Sequence, residues 1–226
     1  MSFIKGLDRT INGVLLKDLL NGVSLGKQST IRIQSGKTVY FDPIDIAGEP
    51  KDADFIFISH SHGDHFSVGD IKKLAKPQTV LVLPADCVQP VKDAGLADII
   101  EVSPNNDYEK DGIRFTAVPA YNTNKQFHKK ESNWVGYIVI LNGASYYFAG
   151  DTDNTPEMKE IKANVVFLPV GGTYTMTAEE AAEAANIIKP LVAVPMHYGS
   201  GIVGTPEDGA KFIKGLDPSI KGVLLK

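Results

Sequence analysis

The run His60-Ser61-His62-Gly63-Asp64-His65 holds three imidazoles and a carboxylate within one short segment. Neutral imidazole and carboxylate are both good zinc ligands, so this density of donors points to metal binding with no cysteine required. A lone histidine on an apolar face reads as packing, and a terminal histidine tract reads as a tag. This tract is internal, follows an apolar run and carries its acid at a fixed offset. Further donors should then lie at the ends of other strands. Asp151 sits in the glycine turn Gly150-Asp151-Thr152 after Tyr147-Phe148-Ala149, and His197 follows Val192-Ala193-Val194-Pro195-Met196.

The elements that must position these donors are short. Asp54-Phe55-Ile56-Phe57-Ile58-Ser59 reads as a buried strand running out into the histidine loop. Apolar, β-branched runs predict strands at 30–34, 38–41, 55–59, 79–83, 113–118, 135–141, 144–149, 165–169 and 191–194. Gly143 suggests a hairpin between the sixth and seventh of these. Helices are predicted at 68–76, 85–94, 156–161, 178–189 and 206–215. Thr177 with Glu180 forms a capping box, and Thr205-Pro206-Glu207 offers an N-cap, a proline at the first helical position and an early acid. Hairpins in one stretch and strand–helix alternation in another predict an α/β protein of layered sheets with helices outside. No linker divides the chain, so residues 1–226 are expected to form one domain.

Composition narrows the function. With 226 residues, 43% of them hydrophobic, the chain is an ordinary globular protein with room for a sizeable core. A formal net charge of −4 argues against general affinity for nucleic acid or anionic membranes. Cys87 is the only cysteine, so no internal disulfide or thiolate cluster can form and a reducing cytoplasm is expected. The charged amino terminus lacks the apolar core of a secretory signal. No apolar run approaches the roughly 20 residues of a membrane-spanning helix. Residues 3–17 recur almost unchanged at 212–226, differing at Arg9/Pro218, Thr10/Ser219 and Asn12/Lys221. That repeat is too short and too widely separated for a solenoid and suggests a terminal duplication. Whether both copies form the same turn and strand is left open.

Taken together and in order, the donors resemble the pattern of the metallo-β-lactamase superfamily: His-x-His-x-Asp-His, a histidine, an aspartate in a Gly-Asp turn and a final histidine. The resemblance spans residues 30–204. Val118-Pro119-Ala120-Tyr121-Asn122, Gly150-Asp151-Thr152 and Gly171-Gly172-Thr173-Tyr174-Thr175-Met176 look most like the branch with ascorbate-6-phosphate lactonase and N-acylphosphatidylethanolamine phospholipase D. It implies a four-layer αββα sandwich with metals at one edge of the two sheets. His60 and His62 would hold a first metal, Asp64, His65 and His197 a second, and Asp151 would bridge them. Many relatives have a histidine where this chain has Asn122, whose carboxamide oxygen is a poor ligand for a borderline-soft ion. His128, six residues further on, is the one histidine left. It is a replacement ligand, a proton donor or a solvated loop residue.

Two divalent ions a few ångströms apart lower the pKa of a bound water toward neutrality, which is hydrolytic chemistry. Zinc is the expected ion, one or two per chain, with Mn2+ or Fe2+ as alternatives. Asp64 would orient the water, and His128 or Tyr198 would protonate the leaving group. Tyr121, Trp134 and Tyr174 are candidate pocket walls, and Lys125 or Lys129 could meet a phosphate. The expected activity is hydrolysis of a lactone, amide or phosphodiester bond in a small, anionic molecule, with no nucleic-acid or membrane partner. Two competing functions remain. One is a metal-binding protein without catalysis; the other is di-iron oxygen chemistry, whose relatives carry glutamate where this chain has His62 and a flavin domain.

Overall fold

The computed structural model describes residues 10–11, 14–15 and 18–225. Two strands, β1 (Thr10–Ile11) and β2 (Val14–Leu15), pair antiparallel as a small ribbon. The first large sheet contains β3 (Val23–Leu25), β4 (Ile31–Ser35), β5 (Lys37–Phe41), β6 (Ala53–Phe57), β7 (Ala75–Pro84) and β8 (Ile99–Val102), side by side in sequence order. Helix α1 (Val68–Leu74) connects β6 to β7, and α2 (Ala85–Asp93) connects β7 to β8. The second sheet contains β9 (Asn106–Lys110), β10 (Ile113–Pro119), β11 (Val135–Leu141), β12 (Ala144–Phe148), β13 (Val165–Pro169), β14 (Val192–Met196) and β15 (Lys221–Gly222), also in sequence order. Helices α3 (Ala178–Ile188) and α4 (Pro206–Gly215) pack on β13 and β14.

The alternation of β6 explains the layering. Phe55 and Phe57 join Phe41, Phe115, Tyr137 and Phe148 in the core between the sheets. Ile56 and Ile58 point the other way, into a second cluster with Ile71 and Leu74 of α1 and Val88 and Val91 of α2. A strand buried on both faces reads as a continuous apolar run, as Phe55-Ile56-Phe57 does; Asp54, near its start, is only partly buried and pairs with Lys76. On the far side, α3 buries Ala178, Ala181, Ala182, Ala184, Ala185 and Ile188. These two helix layers outside two sheets make the αββα sandwich. In both large sheets hairpins give way to parallel strands: β3, β4 and β5 are antiparallel and β5 to β8 parallel, while β9 to β12 are antiparallel and β12 to β15 parallel.

The structure corrects several element boundaries. The first predicted helix stops at Leu74, and Ala75 and Lys76 begin β7, because Pro77 biases the residue before it away from helical geometry. The segment at Pro156–Glu160 is a 3-10 helix. Outside the terminal repeats, strands β3, β8 and β9 were not predicted; β9, Asn-Asp-Tyr-Glu-Lys, is a sheet edge where polar residues discourage pairing with another chain. Thr177 and Glu180 exchange both capping-box hydrogen bonds, at 3.2 and 2.8 Å. At α4 the box partner is Asp208, with Glu207 beside it. The terminal repeats differ where they are described. Val14–Leu15 form β2, whereas their counterparts Val223 and Leu224 follow β15, and the second copy opens inside α4 with Phe212 in the core. Of the first copy, residues 3–9, 12–13 and 16–17 lie outside the described residues.

Candidate metal centre

The donor-rich segment leaves β6 at the centre of its sheet and closes into a tight turn. The His65 and Phe66 backbone N–H groups donate to the His62 carbonyl at 2.9 and 2.8 Å, and Ser67 then caps α1 by accepting from Asp70 N. The second sheet brings the other donors to the same edge. Asp151 follows β12 through Gly150, whose φ of +64° favours glycine and whose Cα faces Ser59 so closely that an added Cβ would lie 2.9 Å from Ser59 Cβ, too near for any side chain. His197 follows β14, and His128 comes from the loop between β10 and β11. His60, His65, His128, Asp151 and His197 are all buried, and His62 and Asp64 are partly exposed.

Two sets of donors result. Ligand atoms of His60, His62 and His128 lie within 4.8 Å of one another, as do those of Asp64, His65 and His197. Asp151 stands between the sets: Oδ2 is 3.3 Å from His128 Nε2 and 3.1 Å from His197 Nε2, and Oδ1 is 3.3 Å from His65 Nε2. Nε2 of His60, His65 and His128 and Oδ1 of Asp151 are buried and have no hydrogen-bond partner. Buried polar atoms are normally satisfied, and four orphans converging on one space fit a cation that takes their lone pairs.

The role of His128 follows from its other nitrogen. Its Nδ1 lies 3.1 Å from Asn122 Oδ1, which also accepts from the His128 backbone N–H at 2.9 Å. A carboxamide oxygen can only accept, so Nδ1 carries the proton and Nε2 turns a lone pair inward. Asn122 Nδ2 donates to Asp153 Oδ1 and the Tyr174 carbonyl, at 3.1 and 2.9 Å. Asn122 is therefore spent on holding His128, whose Nε2 turns toward the imidazoles of His60 and His62.

Behind the other ligands lies Asp42, which sequence reasoning missed. Ser59 N and Oγ donate to its carboxylate at 2.7 and 2.5 Å, and His65 Nδ1 approaches it at 2.7 Å. Ser59 Oγ in turn lies 2.8 Å from His60 Nδ1. With the hydroxyl hydrogen given to Asp42, Ser59 accepts from His60, so both imidazoles present Nε2 to the centre. The available sequence signal was an aspartate before Pro43, just past the apolar strand run; in the structure it follows β5 with a φ of +42°.

Electrostatics separates the two sets. Burial, followed by the nearby His65, pushes the His60 pKa well below its ordinary value, and burial with His128 lowers that of His62. Burial opposes charge on His65, but Asp151 and Asp42 outweigh it and hold its pKa well above the usual range. His197 is raised the same way, against burial, by Asp151 and Asp64. Burial also works against charge on Asp151, yet His197 and His65 keep it well below the carboxylate range.

A family model described as a β-lactamase superfamily domain matches residues 24–197. A UPF0173 metal-dependent hydrolase of Methanopyrus kandleri is 31% identical over 210 residues, covering 84% of this chain and 90% of the relative. The chain belongs to the UPF0173 metal-dependent hydrolases of the metallo-β-lactamase superfamily. A similar UPF0173 relative from Pyrococcus abyssi is 31% identical over 80% of this chain and 87% of its own. Among solved structures, a Parabacteroides distasonis protein superposes with a TM-score of 0.76 at 27% identity, covering 90% of this chain and 91% of that one. A metallo hydrolase of Ignicoccus hospitalis shares the fold, with a TM-score of 0.73 at 22% identity and coverage of 90% and 94%.

In this hydrolase a cavity of about 270 Å3 opens over the donors, with His62, Asp64, His128 and Asp151 at its floor. Phe127, Tyr174 and Ile202 form its rim, and the Phe127 and Tyr174 rings meet edge-on at 4.7 Å. Trp134 walls the first set, 5.0 Å from the His60 ring and 4.7 Å from His62, and its Nε1 donates to Asp86. Other expected site residues are directed elsewhere. The Tyr198 hydroxyl packs against Gly209 of α4. Tyr121 donates to Glu157, and Lys125 pairs with Asp153 at 2.7 Å. A wider depression of about 410 Å3 over β9, β10 and β11 carries no histidine. Among the described residues no helix is long and apolar enough to cross a membrane.

Proposed function

We propose that the two donor sets hold two divalent ions, zinc first with Mn2+ or Fe2+ as alternatives, and that the enzyme hydrolyses a lactone, amide or phosphodiester bond of a small molecule. The observation that carries this reading is Asp151, which faces histidines of both sets at 3.1–3.3 Å. Ions bound there would supply an acidified water near neutral pH and positive charge for the oxyanion that forms on attack. Asp64, at the cavity floor, orients that water and carries its proton. Tyr174, which lines the cavity, offers the second proton-bearing group, since His128 Nδ1 is bonded to Asn122, its Nε2 would face the first ion, and Tyr198 faces α4. Phe127, Tyr174 and Ile202 exclude solvent and favour a neutral, apolar group beside the scissile bond. Lys125 is neutralised by Asp153, so a phosphate or carboxylate on the substrate meets the ions rather than a lysine.

Lactone or phosphodiester cleavage also suits the sequence resemblance to the ascorbate-6-phosphate lactonase and phospholipase D branch. The single, buried Cys87 suits a reducing cytoplasm. The test is metal content per chain together with turnover of a lactone, a phosphodiester and a β-lactam. Two equivalents and cleavage of a lactone or phosphodiester are expected. Protein carrying both ions that cleaves none of the three overturns the reading and leaves a metal-binding protein.

A further inference from the structure

Gln28 lies far from the donor motif in the chain, between β3 and β4. Its side chain is buried at 3% exposure and ends among the ligands of the second set. The Nε2 position lies 2.9 Å from His197 Nε2 and 3.3 Å from Asp64 Oδ2. Bonds of about 2.0–2.2 Å to one ion put neighbouring donors about 2.8–3.6 Å apart at angles between octahedral and tetrahedral. The end of the Gln28 side chain therefore sits where another donor to the same ion would sit.

The backbone carries a second, independent sign. Gln28 has a φ of +58°, a left-handed conformation that a residue other than glycine, asparagine or aspartate adopts rarely, and His197 has a φ of +59°. The two are joined directly, since His197 N–H donates to the Gln28 carbonyl at 3.0 Å. The chain bends against its preference at both residues and thereby aims both side chains at one point.

Carboxamide chemistry supplies the third step. Gln28 Nε2 donates to Asp64 Oδ2 and faces His197 Nε2 at 2.9 Å, while Ser200 Oγ donates to Gln28 Oε1. Once a cation takes the lone pairs of Asp64 and His197, an amide N–H pointing into the same space is repelled. A serine hydroxyl both donates and accepts, so a carboxamide turned end for end keeps its bond to Ser200 and presents Oε1 inward.

We propose that Gln28 Oε1 is an additional ligand of the second metal, alongside Asp64, His65, Asp151 and His197. This rests on the two-metal reading above. It makes the halves unlike: three imidazoles and a carboxylate in the first suit a four-coordinate ion, whereas the second is richer in oxygen and higher in coordination number. Ions with a taste for oxygen, such as Mn2+ and Fe2+, then compete best at the second half.

The test is cobalt(II) titration with chelator competition on the wild-type protein, Gln28→Met and Gln28→Glu. Methionine keeps the length and bulk but loses the oxygen, and glutamate restores an oxygen donor. Gln28→Met should bind one equivalent as wild type does and the other at least tenfold more weakly. Its visible cobalt absorption should strengthen as the coordination number falls, and Gln28→Glu should return both toward wild type. Unchanged affinities and spectrum in Gln28→Met overturn the proposal, as does wild-type protein that binds a single equivalent. Failure of the hydrolytic reading would appear instead as fully loaded wild-type protein without turnover, with the cobalt results unaffected.

Discussion

Asn122→Ala and His128→Ala separate a ligand from the residue that holds it. His128 offers Nε2 to the first donor set, so His128→Ala removes one of three imidazoles and should cost one metal equivalent. Asn122 acts one bond further out, through Oδ1 3.1 Å from His128 Nδ1 and 2.9 Å from its backbone N. Loss of such an outer partner typically weakens metal binding about 10–100-fold, or about 1.4–2.7 kcal/mol. Asn122→Ala should therefore retain two equivalents at saturating metal, with one weakened by that factor. Metal-free Asn122→Ala also loses stability, about 1–3 kcal/mol for a buried N–H left without an acceptor. Asparagine to aspartate is a poor control, because the new carboxylate would face Asp153 across the present 3.1 Å contact. Equilibrium dialysis against graded chelator, with metal analysis of the retained protein, reads both effects. Loss of a full equivalent in Asn122→Ala, with two retained in His128→Ala, would make Asn122 the ligand and refute this assignment.

Asp42→Asn leaves one carboxamide oxygen where a carboxylate now serves Ser59 N, Ser59 Oγ and His65 Nδ1. It should lower the stability of metal-free protein by about 3–5 kcal/mol in urea unfolding, as expected for breaking a buried charge pair; a loss under about 1 kcal/mol would contradict this pairing. Without metal, the raised pKa values of His65 and His197 mean that both hold protons a metal must displace, whereas His60 and His62 are lowered and already neutral. Affinity at the second half should thus rise with pH through and above neutrality, with acidification of weakly buffered solution on loading; a pH-independent affinity there would count against it. Phe127→Ala should raise KM about fivefold for a substrate with an apolar group beside the scissile bond and leave kcat intact. Phe127 is 48% exposed, so about half of a phenylalanine's burial energy, roughly 1 kcal/mol, remains to be gained on binding. An equal KM would remove Phe127 from the substrate's path.

The parts of the fold that were legible in the sequence are those set by local pattern. The doubly buried alternation of β6, the Thr177 capping box and the hairpin of β11 and β12 each depend on residues close in the chain. The six motif donors were legible because three imidazoles and a carboxylate crowd one turn and Asp151 and His197 follow in a set order, each after an apolar run. What stayed hidden depends on contacts between distant segments. His128 comes into reach because Asn122 N–H donates to the His128 carbonyl at 2.7 Å and closes the loop between them. Gln28 meets His197 across 169 residues, and Asp42 reaches His65 across 23. None of these has a spacing that a motif could encode.

Each half of the centre takes residues from both sheets, so its geometry is only as rigid as the joint between them. Several contacts fix that joint within two residues of His60. The Tyr137 hydroxyl on β11 donates to the Ile58 carbonyl at 2.6 Å, and Val135 N–H donates to the Ser59 carbonyl at 3.1 Å. Gly150, one residue before Asp151, rests against Ser59, whose hydroxyl serves both Asp42 and His60. Ser59 thus connects the sheet joint, the outer carboxylate and the first histidine. The short motif supplies donors to both sets because it leaves β6 at the point where the second sheet is held against it, and a shift of the sheets would move Asp151 against both sets at once.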